Sequence, residues 1–138
     1  MISKTAIHAL KAVAALAERP GEFQGAGSIA ERIGAPQNYL GKLLQTLAQS
    51  DVLYSQKGAG GGFCLARKPE EITLYDVVEP IDHVSKWNGC FMGRPECSSD
   101  DPCAMHTKWA AVRDAYFEML TDSTLADVVA GRQTVAEA

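Results

Sequence analysis

Leu40, Leu43, Leu44 and Leu47 stand at i, i+3, i+4 and i+7, one continuous apolar stripe of helical period. Pro36 lies where such a helix begins, and the pattern runs to about Gln49. Just upstream, Ser28 can cap a short helix over Ile29–Ile33, with Glu31 at the positive end of its dipole and Gly34 as its stop. Two helices separated by a few residues that include a glycine make a helix-turn-helix. The next segment narrows the fold further. Val52–Gln56 and Phe63–Ala66 flank Lys57-Gly58-Ala59-Gly60-Gly61-Gly62, and two short apolar-rich runs about a glycine-rich turn read as a β-hairpin. A helix-turn-helix followed directly by a hairpin is a winged helix.

The rest of the chain extends this unit. Ser3 is a plausible N-cap for a first helix in which Ile7, Leu10, Val13, Ala14 and Ala17 repeat at helical spacing until Pro20–Gly21. Leu74, Val77, Val78 and Ile81 predict a short helix ending near Pro80–Asp82. Residues 88–101 are rich in Gly, Pro, Asp and Ser without periodicity, which predicts a loop. A long helix over about 104–120 then carries Trp109, Val112, Tyr116 and Met119 at alternating three- and four-residue steps, a narrow seam suited to a partner helix. Thr124 caps a short last helix through Val129, stopped by Gly131. The expected fold is mainly α with a small β-hairpin wing: a winged helix-turn-helix plus a long dimerisation helix. Its expected parts are a DNA-binding domain at 1–68, a connecting helix at 69–87, a cysteine-rich loop at 88–103, and the dimerisation and terminal helices at 104–138.

At 138 residues the chain suits one domain with a proper core. No apolar run approaches the length that spans a bilayer, and the apolar stretch near the N-terminus is interrupted by His8 and Lys11, so no membrane partner and a cytoplasmic location are expected. The net charge of −4 argues against a polyanionic partner only in total. Through Arg67 the chain carries a local net of +3, and the remainder −7. A basic front half joined to an acidic back half suggests that the front half meets a polyanion.

With its leucines facing the core, the third helix leaves Gln37, Asn38, Tyr39 and Lys42 for other directions, and residues at the start of a recognition helix reach base edges in the major groove. Ser28 joins this candidate DNA-binding set, as do Lys57 and Gly60 of the wing, where glycines permit close backbone approach and a lysine meets phosphate. A Walker-type phosphate loop is the wrong reading of the glycine run, since no Lys-Ser/Thr pair and no helix follow it. No nucleophile–base pair, cofactor fingerprint or paired acid/base carboxylates appear, so catalytic residues are expected to be none and the protein is not an enzyme.

The most specific constellation is Cys90-x6-Cys97-x5-Cys103-x2-His106. Three thiols and an imidazole in a reduced compartment form a four-donor set suited to an iron–sulfur cluster or to tetrahedral zinc. Zinc knuckles usually space their cysteines two to four residues apart, whereas the wider gaps here let a loop wrap a larger object. A metal-free thiol switch is the other alternative. Cys64 is read as a small buried hydrophobe in a wing strand, and His83 is given no role.

Ile2-Ser3-Lys4-Thr5-Ala6, Ala9-Leu10-Lys11-Ala12, the stretch from Ile29-Ala30 to Tyr39-Leu40, the wing Lys57-Gly58-Ala59-Gly60-Gly61-Gly62-Phe63 and the three-cysteine loop together resemble the Rrf-type repressors, the family that includes IscR, NsrR and RirA. The resemblance covers nearly the whole chain and is nearest to the IscR branch. It implies a homodimeric transcriptional regulator, a repressor in its expected mode, with the long helix at the interface and two winged helices on a palindromic double-stranded DNA operator. It implies an iron–sulfur cluster of the 2Fe–2S type, held by Cys90, Cys97, Cys103 and His106, that controls DNA affinity by sensing redox, nitric oxide or cluster and iron status. In the NsrR-like branch the non-cysteine ligand is an acidic residue on the first helix. Ile7 occupies that position here and cannot ligate, which leaves His8 beside it as a reserve candidate. Gly41 stands where IscR has an acidic residue on the recognition helix, so the switching logic of that branch does not carry over intact.

Overall fold

The N-terminus of the first helix, α1 (Lys4–Ala17), is closed by Ser3, whose side chain accepts from the Ala6 N–H at 3.0 Å. The same hydroxyl donates to Asp82 at 2.5 Å, and the Ser3 backbone N–H donates to the other carboxylate oxygen at 2.8 Å. This computed structural model describes the backbone of residues 2–137 and the side chains of residues 2–131. The core-facing side of α1 is built mostly from small residues, with Ala6, Ala9, Ala12, Val13 and Leu16 essentially without exposure. Ile7, expected in the stripe, is instead 40% exposed. The alanines let neighbouring helices approach closely, and that rotates the larger Ile7 outward.

The second helix, α2, spans Ala26–Ile33, starting three residues earlier than expected. Gly25 takes the N-cap position, so Ser28 lies inside the first turn, exposed, and caps nothing. Gly34 ends α2 in the left-handed conformation (φ 71°). α3 (Gln37–Gln49) follows Pro36 and buries Leu40, Leu43, Leu44 and Leu47 as expected. β1 (Leu53–Gln56) and β2 (Gly62–Leu65) pair antiparallel, Leu53 opposite Leu65 and Gln56 opposite Gly62. The α1–α2 connection adds a third rung: Gln24 exchanges both backbone hydrogen bonds with Phe63, at 2.9 and 2.8 Å. This pins the base of the wing to the helical unit.

α4 (Leu74–Asp82) opens on a capping box between Thr73 and Asp76. It ends at Asp82, as expected; Pro80 lies within its last turns, where a proline forfeits one hydrogen bond, and His83 caps it at φ 51°. Residues 89–105 carry no helix or strand beyond turns. α5 (His106–Asp122) and α6 (Leu125–Glu137) complete the chain. Thr124 and Asp127 cap α6 reciprocally, at 2.9 and 3.2 Å. Gly131 does not stop it: α6 continues to Glu137, glycine being costly in a helix by only about 1 kcal/mol.

Two apolar clusters organise the molecule. One joins α1, α2, α3, the wing strands, Val77 and Leu125. The other joins Ala6, Val78, Val84, Tyr116 and Leu120, and seats α5 against α4 and the start of α1. Among the described residues no helix is long and apolar enough to cross a membrane.

Candidate functional site

The first candidate surface is the start of α3 with the wing. Gln37, Asn38 and Lys42 are exposed on α3, Ser28 on α2, and Lys57 and Gly60 in the wing turn. Gly27 lets α2 touch this edge, since a Cβ there would lie 3.1 Å from the Gln37 side chain. Lys42 and Lys57 form no ion pair among the described residues, whereas Arg19 and Arg32 are engaged by Glu22 and Glu18. The α3 start and the wing turn thus each carry an exposed lysine without an ion pair among the described residues. Tyr39 is less free than its neighbours. Its hydroxyl lies 3.1 Å from His8 Nδ1 on α1, and its ring meets the imidazole edge-on at 5.5 Å. Gly41 is turned toward α2, with a Cβ position 4.0 Å from that of Ala26.

The second candidate surface is the cysteine loop. Cys90 follows a 3-10 turn over Val84–Asn88, and Cys103 precedes α5, whose first residue is His106. Cys90, Cys97, Cys103 and His106 are all half-buried. Among their donor atoms, Cys97 Sγ lies 3.3 Å from His106 Nδ1. The Cys90 thiol is drawn below its ordinary pKa by the backbone N–H of Arg94, and further by the N–H of Met92 and by Cys103. Among the described residues no three His, Cys, Asp or Glu side chains converge on a single metal position. Two ligands of one tetrahedral metal ion, with bonds of about 2.0–2.3 Å, lie about 3.5 Å apart, and the Cys97–His106 spacing matches this. In donor chemistry, three thiols and an imidazole, the residues fit a two-metal iron–sulfur group.

The loop is fastened by a residue that spacing rules alone did not single out. Arg113 Nη1 donates to Cys97 Sγ at 3.1 Å and to the Asn88 carbonyl at 3.4 Å, and its Nε donates to Asp114 at 3.0 Å. Its side chain is only 12% exposed. The hydrogen bond to Cys97 raises the arginine's already high pKa. The available signal was its place seven residues after His106, on the same face of α5. Trp109 donates from Nε1 to the Gly89 carbonyl at 3.0 Å and packs against Phe91 at 5.7 Å. Trp87, Phe91, Trp109, Tyr116 and Arg113 line an open pocket of about 520 Å³ beside Cys90.

The seam expected along α5 divides between two faces. Tyr116 is buried within the chain, against Trp87 and Phe117, and Trp109 is turned to the loop. Val112 and Met119 are 56% and 50% exposed, one heptad apart, with Met105 a heptad before Val112. Cys64 is buried in β2, its thiol donating to the Leu65 carbonyl at 3.5 Å, in keeping with a structural role. His83 caps α4 through its backbone.

A helix-turn-helix with a clipped hairpin wing, presenting a polar helix start and two unpaired lysines, defines a winged-helix transcriptional regulator. Residues 2–131 match the family model described as "Rrf2: Iron-dependent Transcriptional regulator", and the chain belongs to the Rrf2 family. It is 31% identical over 131 residues, 94% of this chain and 91% of the relative, to an HTH-type transcriptional regulator of Aquifex aeolicus. It is 30% identical over 107 residues to the HTH-type transcriptional regulator IscR of Pectobacterium atrosepticum, a match covering 78% of this chain and 65% of that one. Among solved structures it is similar to CymR, the global cysteine regulator of B. subtilis (TM-score 0.77, 27% identity, covering 94% of this chain and 96% of that one). It is also similar to T. potens IscR (TM-score 0.75, 26% identity, covering 96% and 88%) and to the oxidized form of Staphylococcus aureus CymR (TM-score 0.73, 26% identity, covering 94% and 95%). These relatives are regulators, and the expectation that the chain is not an enzyme agrees with them.

Proposed function

We propose that this chain is a homodimeric regulator of transcription that binds a palindromic DNA operator and whose affinity is set by an iron–sulfur cluster, of 2Fe–2S type, on Cys90, Cys97, Cys103 and His106. The observation that carries the reading is the approach of Cys97 to His106, 3.3 Å from Sγ to Nδ1, with two further half-buried thiols, Cys90 and Cys103, on the same loop. A two-iron cluster needs two protein ligands at each iron, whereas a zinc ion needs all four at one point. Bound there, the cluster would supply a reversible one-electron centre with a potential raised by histidine ligation. The protein supplies the rest. His106 is the first residue of α5, and α5 packs through Tyr116 and Leu120 on Val78 and Ala6. Ordering the loop therefore biases the seat of α5, and with it the angle between two winged helices joined through the exposed Val112–Met119 stripe. This is a population shift, and it requires that ligation favour one dimer geometry.

In the DNA-bound form, Ser28, Gln37, Asn38 and Tyr39 face base edges and sugar-phosphate, while Lys42, Lys57 and the Gly60 backbone meet phosphates. The test is anaerobic loading with iron and sulfide, followed by the visible spectrum, iron and sulfide analysis, and DNA-binding anisotropy with and without the cluster. Visible charge-transfer bands with two irons and two sulfides per chain, and a changed DNA affinity, are expected. A colourless protein with one zinc per chain refutes the reading.

A second reading, a metal-free thiol switch, is favoured by the likeness to the oxidized form of S. aureus CymR and by the lowered pKa of the Cys90 thiol, drawn down chiefly by the Arg94 backbone N–H. Loss of two thiols on peroxide exposure of a metal-free chain, with altered DNA binding, would select it.

A further inference from the structure

We infer that Arg113 is the positioning residue of the cysteine loop: its N–H···S hydrogen bond fixes Cys97 and raises the reduction potential of the group this loop holds. The inference rests on the proposed iron–sulfur reading and deepens it. Arg113 Nη1 reaches two separate points of the loop, Cys97 Sγ at 3.1 Å and the Asn88 carbonyl at 3.4 Å. One guanidinium thus clasps the strand of chain entering the loop and the middle of the loop at once. Its own base is rigid, since it projects from the middle of α5 and Asp114 holds its Nε at 3.0 Å.

The surroundings sharpen its charge. The side chain is 12% exposed and shares its pocket with Trp87, Trp109 and Tyr116, so little water screens it. A one-electron group held there would, on reduction by an external one-electron donor, carry one more unit of negative charge beside Cys97. A half-buried cation donating a hydrogen bond to the Cys97 sulfur would stabilise the electron-rich form over the oxidised one. Hydrogen bonds to sulfur, net charge and solvent exposure are the levers by which a protein sets such potentials. Arg113 supplies the first two at Cys97. The His106 side chain, 3.3 Å from Cys97 on its other side, already marks this as the histidine-ligated end of the donor set.

The test compares wild type, Arg113→Lys and Arg113→Gln after anaerobic loading, with midpoint potentials from a dithionite titration in the presence of viologen mediators. Arg113→Gln is expected to lower the potential by about 59 mV or more, a tenfold change in the one-electron equilibrium, and Arg113→Lys by less because the charge is kept while the fork is lost. A parallel measurement needs no cluster: in the metal-free protein, chymotryptic cleavage after the exposed Phe91 should quicken several-fold in Arg113→Gln. A wild type that fails to retain iron and sulfide overturns the iron–sulfur reading, and the potential claim with it. A wild type that loads, beside variants that load with its potential, overturns the role of Arg113 alone. If Arg113→Gln does not load, an unshifted potential in Arg113→Lys is the overturning result. Unchanged cleavage at Phe91 overturns the clasp.

Discussion

Gly62→Ala separates the two things a wing glycine can be for. Gly62 adopts φ 127°, in a region where side-chain-bearing residues are strained by about 1–3 kcal/mol. Its place is also crowded. A Cβ there would lie 2.2 Å from the Gln24 carbonyl oxygen and 2.8 Å from the Gly25 nitrogen, both backbone atoms that cannot step aside alone. To admit the methyl group, the α1–α2 connection must leave β2, and the two Gln24–Phe63 hydrogen bonds at 2.9 and 2.8 Å go with it. At about 1 kcal/mol each, those bonds and the strain sum to about 3–5 kcal/mol. That is a large part of the 5–15 kcal/mol typical of a domain, yet short of unfolding most of them. Gly60→Ala is the control, because it shares a positive φ of 77° but has nothing within 4 Å of its would-be Cβ. It should cost only about 1–2 kcal/mol of left-handed strain. Urea unfolding followed by circular dichroism measures both. If Gly62→Ala costs no more than Gly60→Ala, the clip between Gln24 and Phe63 does not hold the wing, and the steric reasoning fails.

Other expectations follow from the same geometry. Cys97→Ala should abolish iron and sulfide retention while changing metal-free stability by no more than about 0.5 kcal/mol, as its loop lies outside both apolar clusters; intact visible absorbance would remove Cys97 from the ligand set. Lys57→Ala should weaken DNA binding and reduce the salt slope by about 1, and an unchanged slope takes Lys57 off the phosphates. Met119→Glu, placing a charge on the exposed stripe of α5, should shift the chain toward monomer in sedimentation, and an unshifted distribution moves the interface elsewhere. Tyr116→Phe should stabilise by about 1–2 kcal/mol, because the Tyr116 hydroxyl is buried without a hydrogen-bond partner among the described residues. Burial, with Asp82 nearby, raises the Tyr116 pKa, so its neutral form contributes stability that is full below pH 10.0 and is lost as pH rises through the folded value; this alkaline loss should vanish in Tyr116→Phe, and its persistence would assign it to another group.

The winged helix was legible in the sequence because each of its signals is local. The leucine stripe of α3, Gly34 with its left-handed termination and the glycine turn of the hairpin each act within a few residues. Where reasoning from spacing went astray, a contact from elsewhere decided the matter. Ser28 looks like a cap, but α2 begins at Ala26, where Gly25 and the Gln24–Phe63 rung already fix the chain's path. Ile7 looks like core, but the alanine face of α1 is the one that Val78 and α2 can approach. The cysteine spacing indicated a wrapping loop, yet nothing in spacing could bring Asn88, Cys97 and Arg113 to one guanidinium.

α5 shows why a helical period underdetermines a site. Steps of three and four generate Trp109–Arg113–Tyr116–Leu120, steps of seven generate Met105–Val112–Met119, and the three- and four-residue spacing of Trp109, Val112, Tyr116 and Met119 takes members of both. Burial parts them: Leu120 is 1% and Tyr116 7% exposed, against 56% for Val112 and 50% for Met119. The inward row holds the cysteine loop through Trp109 and Arg113 and locks into the second cluster through Tyr116 and Leu120. In the proposed dimer the outward row would meet the second chain. The two rows lie only about 70° apart around the helix, and Val112 also lines the pocket beside Cys90. In the proposed mechanism a change at His106 would reach the outward row by rotating or seating the whole rod, since α5 runs unbroken from His106 through Met119. A glycine pair placed at Ala110 and Ala111 would test that rigid transmission, because it softens the rod while touching neither row. It should leave cluster retention intact and uncouple it from DNA affinity, and coupling that survives the softened helix would rule out α5 as the transmitting element.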